Sequence, residues 1–187
     1  MNQRDEAERI IREHLIWSVG AGLVPIPLVD LAAVTGIQLD MLKQLCRVYG
    51  VDYSISSGKA WISALTGSML ARFGANALKL IPGLGSLIGG VSMAVMSGAS
   101  TYALGTVAVK HFEGGGSFAD FDPDAARTEY ETAFEEGKSY AGDLAKDRRK
   151  TRDAFEKLER LGALKEKGII TEEEFEAKKK QLLDTIT

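Results

Sequence analysis

Residues 80–109 form a run of 30 without a single charged side chain. A helix rises about 1.5 Å per residue, so a run of this length could cross the roughly 30 Å hydrocarbon core of a bilayer. Pro82, Gly83 and Gly85 fit a turn before the helix proper. That leaves residues 87–109, 23 in all, as the candidate span. The run is rich in Gly, Ser and Thr rather than Leu, so its transfer into lipid gains only modestly. The other uncharged stretch, 15–29, is short and interrupted by Pro25 and Pro27, which forbid one regular helix through it.

Small residues recur every four positions along the long run. Gly85 and Gly89, then Gly90, Ala94 and Gly98, and Ser97, Thr101 and Gly105 make two stripes. Such stripes let backbones approach closely, in lipid or inside a soluble bundle. We expect Gly85, Gly89, Gly90, Ala94, Gly98 and Gly105 to carry helix packing and oligomerisation.

The flanking segments read differently. Ala7, Ile10, Ile11, His14 and Leu15 share one face of a first helix. After residue 113, Gly114-Gly115-Gly116-Ser117 reads as a flexible joint. Asp122 followed by Pro123 is a helix start, with the carboxylate as cap and proline at the first helical position. An amphipathic helix follows over 123–152, expected to be weakened near Gly137 and Gly142. From about residue 153 the pattern is a helix hairpin. Phe155, Leu158, Leu161 and Leu164 line its first helix, and Gly168 supplies the stop. Thr171 and Glu174 form a capping box, with Ile170 and Phe175 as its hydrophobic staple. Phe175, Leu182, Leu183 and Ile186 give the second helix an apolar face. Assembly through this hairpin is expected to use Leu158, Leu161, Leu164, Ile170, Phe175 and Leu182. No segment alternates apolar and polar residues with β-branched enrichment, so the fold class is all-α.

The domain reading is therefore 1–113 as an apolar helical domain, 114–122 as a linker, 123–152 as an amphipathic helix and 153–187 as the hairpin. Two resemblances fit these boundaries. The stretch Leu161-Gly162-Ala163-Leu164-Lys165-Glu166-Lys167-Gly168-Ile169-Ile170-Thr171-Glu172-Glu173-Glu174-Phe175, continuing to Leu182-Leu183, resembles the SHOCT short C-terminal domain. The resemblance implies a small helical hairpin that promotes oligomerisation. Residues from about 10 to 112 resemble the bacterial DUF697 family of YcjF-like proteins. The match rests on Gly22-Leu23-Val24-Pro25-Ile26-Pro27-Leu28-Val29-Asp30, Met41 through Gly50, Ile81-Pro82-Gly83-Leu84-Gly85-Ser86 and Ser100-Thr101-Tyr102-Ala103-Leu104-Gly105. It implies a bacterial membrane protein, in some members fused to or encoded beside a Ras-like GTPase. This chain has no GTPase domain within it, and the family brings no established activity or site residues.

Composition and motifs lean away from chemistry. With 23 Lys+Arg against 26 Asp+Glu the net charge is -3, unlike a chain that coats nucleic acid. One Cys and two His exclude a disulfide framework within one chain and nearly exclude a Cys/His zinc site. The pair Gly58-Lys59 is followed by Ala60, and Tyr53 stands where a P-loop needs its first glycine. Gly83-x-Gly85 meets Ile88 where a dinucleotide fingerprint needs a third glycine. His14 reads as a hydrogen-bonded core or interface residue, His111 as a cation suited to a helix C-terminus, and Cys46 as a small hydrophobe. Asp30 reads as a cap for the helix that follows. The cluster Lys146, Arg148, Arg149, Lys150 and Arg152 is either a solvated helix surface or an attraction for anionic headgroups. Trp17 and Trp61 are either interfacial anchors or core residues.

We expect a non-enzymatic, membrane-associated, self-assembling protein, an adaptor or effector of a separate GTPase. Its partners would be copies of itself, a lipid membrane and that GTPase; neither cofactor nor nucleic acid is expected. It would sit at the bacterial inner membrane or on its cytoplasmic face, and no cleaved signal is read at the N-terminus. The alternative is a cytoplasmic homo-oligomeric scaffold with the glycine stripes packed between subunits.

Overall fold

The computed structural model describes residues 2–22, 29–77 and 86–184, with the side chains of 29–31, 68–77 and 86–92 outside the description. The chain is all-α, and the described residues contain no strand. Its helices are α1 (Gln3–Ala21), α2 (Val29–Tyr49), α3 (Ile55–Ala77), α4 (Ser86–Glu113), α5 (Pro123–Glu166) and α6 (Glu172–Leu183). They group into two compact units, residues 1–142 and 143–187.

In the first unit, α4 is the centre. Its facing pairs with α1 are Gly105 with Ile11, Gly98 with Val19, and Ala94 with Gly22. Residue numbers rise on one helix as they fall on the other, so α1 and α4 are antiparallel. Against α2 they rise together: Thr101 with Gln38, Gly105 with Met41, and Glu113 with Tyr49. The first part of α5 is antiparallel again, through Lys110 with Glu129, Ala99 with Gly137, and Gly98 with Ala141.

Small residues on α4 make this possible. A Cβ on Gly98 would stand 2.6 Å from Val19 Cγ2 and 2.8 Å from Ala141 Cβ, so glycine lets α1 and α5 approach together. Ala94, Ala99, Ala103 and Ala108 are fully buried beside it. Larger side chains on the neighbours fill the remaining space: Ile10, Met41, Leu42, Leu45, Tyr130 and Phe134. Each such side chain contributes about 1.5–3 kcal/mol when fully buried.

Local signals set the helix ends. Asn2 caps α1 in a capping box with Asp5. Asp122 Oδ1 accepts from the backbone N–H groups of Asp124 (2.9 Å) and Ala125 (3.2 Å) at the start of α5. Thr171 Oγ1 accepts from Glu174 N–H at 3.2 Å, and Glu174 Oε2 accepts from Thr171 N–H at 2.9 Å, which is the capping box of α6. Gly168 turns the chain at φ +66, a conformation that costs any other residue dearly.

Three expectations change. Residues 123–152 and the first hairpin helix are one helix, because α5 runs unbroken to Glu166. Gly137 is a point of close approach rather than of weakness: its Cβ would meet Ala99 Cα at 3.0 Å. The stretch 114–117 is a held turn, not a flexible joint. Gly115 and Gly116 donate to the carbonyls of Phe112 (2.9 Å) and His111 (3.0 Å). The next residues explain the order, because Phe118 and Phe121 pack on the buried Trp61, with ring centroids 4.8 and 3.9 Å away.

Among the described residues, no helix is long and apolar enough to cross a membrane. The side chains of the candidate span 87–109 are described only from Met93 on. Its helix α4 is lined by alanines, glycines and hydroxyls that serve contacts with α1, α2 and α5.

Candidate functional site

Three places concentrate chemistry or exposed apolar surface. The first is a polar seam inside the first unit. His14 is fully buried on α1. Its Nδ1 lies 2.7 Å from the Ile10 carbonyl oxygen and its Nε2 3.2 Å from Asp40 Oδ2. Gln44 also donates to that carboxylate at 2.7 Å. The hydrogen bond from His14 is the main reason Asp40 is held below the ordinary carboxylate range. One turn on, Ser18 Oγ bonds Thr101 Oγ1 at 2.8 Å. Gln38 donates to Thr101 (3.3 Å) and Ser100 (3.2 Å), and Ser100 bonds the Tyr130 hydroxyl at 2.9 Å. Burial pushes the Tyr130 phenol up to about 12.

Ser18, His14 and Asp40 share residue types with a hydrolytic triad, but the geometry is not one. Both ring nitrogens of His14 are taken by Ile10 and Asp40, and Ser18 pairs with Thr101. No nitrogen remains to accept the serine proton. The seam therefore ties α1, α2, α4 and α5 together by satisfied hydrogen bonds. Sequence reasoning placed His14 in a core but missed its partners. The signal available was His14 and Ser18 four apart on one helix face.

The second place is a groove of about 780 Å³ along α4, between α1 and the first part of α5. Ile11, Leu15, Ile16, Tyr102, Val109 and Tyr140 give it apolar walls. Arg4, Arg12 and Lys110 face Glu8, Glu113 and Glu129 along it. These charges balance, and several pair: Arg4 with Glu8 (3.5 Å) and Glu113 (3.7 Å), and Lys110 with Glu129 (3.0 Å). By charge the groove favours neither a cation nor an anion. The described residues hold no cluster of three or more His, Cys, Asp or Glu suited to a metal. Burial pushes the Cys46 thiol up to about 11, far from the range of a reactive thiolate.

The third place is the apolar side of the second unit. No residue of α6 is buried. Phe155 is 57% exposed and Ile169 63%. Leu158, Leu161, Ile170, Phe175 and Leu182 are half-buried, and Leu164 is exposed. Phe175 is flanked by two ammonium groups, Lys165 Nζ at 4.6 Å and Lys179 Nζ at 5.7 Å from its ring centroid. The basic cluster on α5 is laced with acids: Lys146 with Asp143, Lys150 with Asp147, and Arg152 with Glu156.

The glycine stripe divides. Ala94, Gly98 and Gly105 pack inside the chain, Gly105 against Ile11 and Met41. Gly85 lies outside the described residues, as do the surroundings of Gly89 and Gly90 and the side chain of Asp30. His111 sits in the last turn of α4 as expected, and its Nε2 bonds the Ser117 carbonyl oxygen at 2.8 Å. Trp61 is core and Trp17 is surface.

Comparison with known proteins places these features in a family. Residues 156–183 match the Short C-terminal domain, SHOCT. The chain is 42% identical over 140 residues to Magnetosome membrane protein 22 of Magnetospirillum gryphiswaldense, covering 72% of each protein. No solved structure matches. Residues 1–136 match the Domain of unknown function (DUF697), and the chain belongs to that family.

Proposed function

We propose that this protein is a non-enzymatic, membrane-associated protein that assembles with copies of itself. The observation that carries the membrane part is the 42% identity to a magnetosome membrane protein across most of both chains. The self-assembly part is supported by the hairpin, where Phe155, Leu164, Ile169 and Leu183 stay exposed. The short helix α6 has no buried residue, and a second copy would cover this face. The non-enzymatic part is supported by the polar seam, whose only histidine is fully engaged. A separate GTPase is the partner that the DUF697 resemblance favours. A bacterial inner membrane or its cytoplasmic face is the location this reading implies.

The test is flotation of membranes from expressing cells, followed by mass measurement of the detergent-solubilised particle. The expected result is protein in the floating fraction and a particle of several subunits that shrinks with Phe175→Asp. Protein in a large soluble particle instead would replace this reading with the homo-oligomeric scaffold. A monomeric particle would remove self-assembly.

A further inference from the structure

The side of α5 on which Tyr130, Phe134, Ala141 and Ala145 are buried continues, at steps of three or four, through Arg148, Arg152, Phe155, Glu159, Gly162 and Glu166. Beyond Ala145 this side is open. Phe155 is 57% exposed, and the two arginines and two glutamates are exposed with it. Both arginines precede the phenylalanine and both glutamates follow it. The side chains of Arg148, Glu159 and Glu166 make no ion pair or hydrogen bond among the described residues. Arg152 meets Glu156 at 3.7 Å and Asp153 at 3.9 Å. Gly162 places on this side a residue that weakens a helix, and a Cβ there would meet nothing within 4 Å. The charges that join α6 to α5 or lie along it are already paired, Lys165 with Glu172 at 2.7 Å and Lys179 with Glu176 at 3.1 Å.

We propose that this side of α5 pairs with the same side of a second copy, the two helices antiparallel about a two-fold axis at Phe155. The inference rests on the self-assembly reading above and names its contact surface and geometry. In such a pair, residues equally far before and after Phe155 face each other. The phenylalanine of one protomer covers that of its partner. The partner's Arg148 comes opposite Gly162, where the missing side chain leaves it room, and stands between Glu159 and Glu166. Arg152 comes beside the partner's Glu159. The two-fold axis repeats each of these pairs. A parallel pair would instead set Arg148 against the partner's Arg148 and Glu159 against the partner's Glu159, and like charges so placed oppose association. An anionic lipid surface would attract the arginines but repel the glutamates of the same side. The contact from residue 148 to 166 is about 27 Å of helix.

Charge exchange tests the pairing, because these exposed side chains can be reversed without touching the core. Detergent-solubilised full-length chains are weighed by sedimentation equilibrium. Phe155→Asp and Arg148→Glu each weaken association by about tenfold, with helicity unchanged. Glu159→Arg combined with Glu166→Arg in one chain does the same. Mixing the Arg148→Glu chain with the Glu159→Arg, Glu166→Arg chain restores association, since each then meets its opposite. A mixture that stays apart would overturn the antiparallel pairing and leave self-assembly standing. Unchanged mass for both Phe155→Asp and Arg148→Glu would overturn this surface as the contact and give it to another occupant. A wild-type chain that is monomeric would overturn both the pairing and the self-assembly reading.

Discussion

In residues 1–142, Met41, Leu42, Leu104, Tyr130 and Phe134 are all but fully buried, and a chain of hydrogen bonds threads between them. In residues 143–187, no residue of α6 is fully buried, and its strongest features are a capping box and cations around one phenylalanine. The first unit is stabilised by tertiary packing, the second by local signals. A region of the first kind keeps its structure alone. A region of the second kind gains stability whenever a partner covers its apolar side.

The largest expected effect is on packing in the first unit. Gly98→Leu drives a side chain into Val19 and Ala141, and should lower stability by about 3 kcal/mol, the upper end for overpacking. Urea unfolding followed by circular dichroism measures it. An unchanged midpoint would mean that α1 and α5 are not held against α4 as described. Next comes the polar seam. Thr101→Val keeps the volume but strips partners from Ser18 and Gln38, costing about 1–3 kcal/mol in the same assay.

The contrast sharpens with Thr171→Ala in the second unit. Loss of the cap should cost α6 about 1 kcal/mol. Hydrogen exchange should quicken for α6 amides alone and leave α1 and α4 protection as it was. Quickened exchange across α4 would show that the two units unfold together.

The smallest effect concerns pH. Asp40 is held below its ordinary value of 3.8, chiefly by the hydrogen bond from His14. A depressed carboxylate adds stability that is complete above about pH 4 and fades as pH falls through the folded value. Asp40 is half exposed, so screening keeps the contribution small. Asp40→Asn should flatten the acid limb of a stability–pH curve below pH 4 by a fraction of a kcal/mol.

Where sequence reading succeeded, the governing forces were short in range. The cap at Asp122, the stop at Gly168 and the Thr171–Glu174 box each depend on residues within a turn of one another. Their spacing alone announces them. The four-residue stripe of small side chains likewise announces close helix contact. It says nothing of whose helix makes the contact, because an alanine or glycine face fits lipid, a neighbouring subunit or the same chain equally well.

Partners distant in sequence were not legible. His14 meets Asp40, Ser18 meets Thr101, and Ser100 meets Tyr130 only because four helices converge on one axis. Phe118 and Phe121 turn a glycine-rich stretch into a fixed turn by reaching Trp61, more than fifty residues earlier. The sequence by itself determined the all-α class, the caps at Asp122 and Thr171 and the stop at Gly168, since hydrogen-bond caps and apolar periodicity act locally. The tertiary structure decided that α4 lies against α1, α2 and α5, that Trp61 is core, and that Trp17 is surface. Those outcomes depend on which faces meet in space, and burial is a property of the packed whole rather than of any one segment.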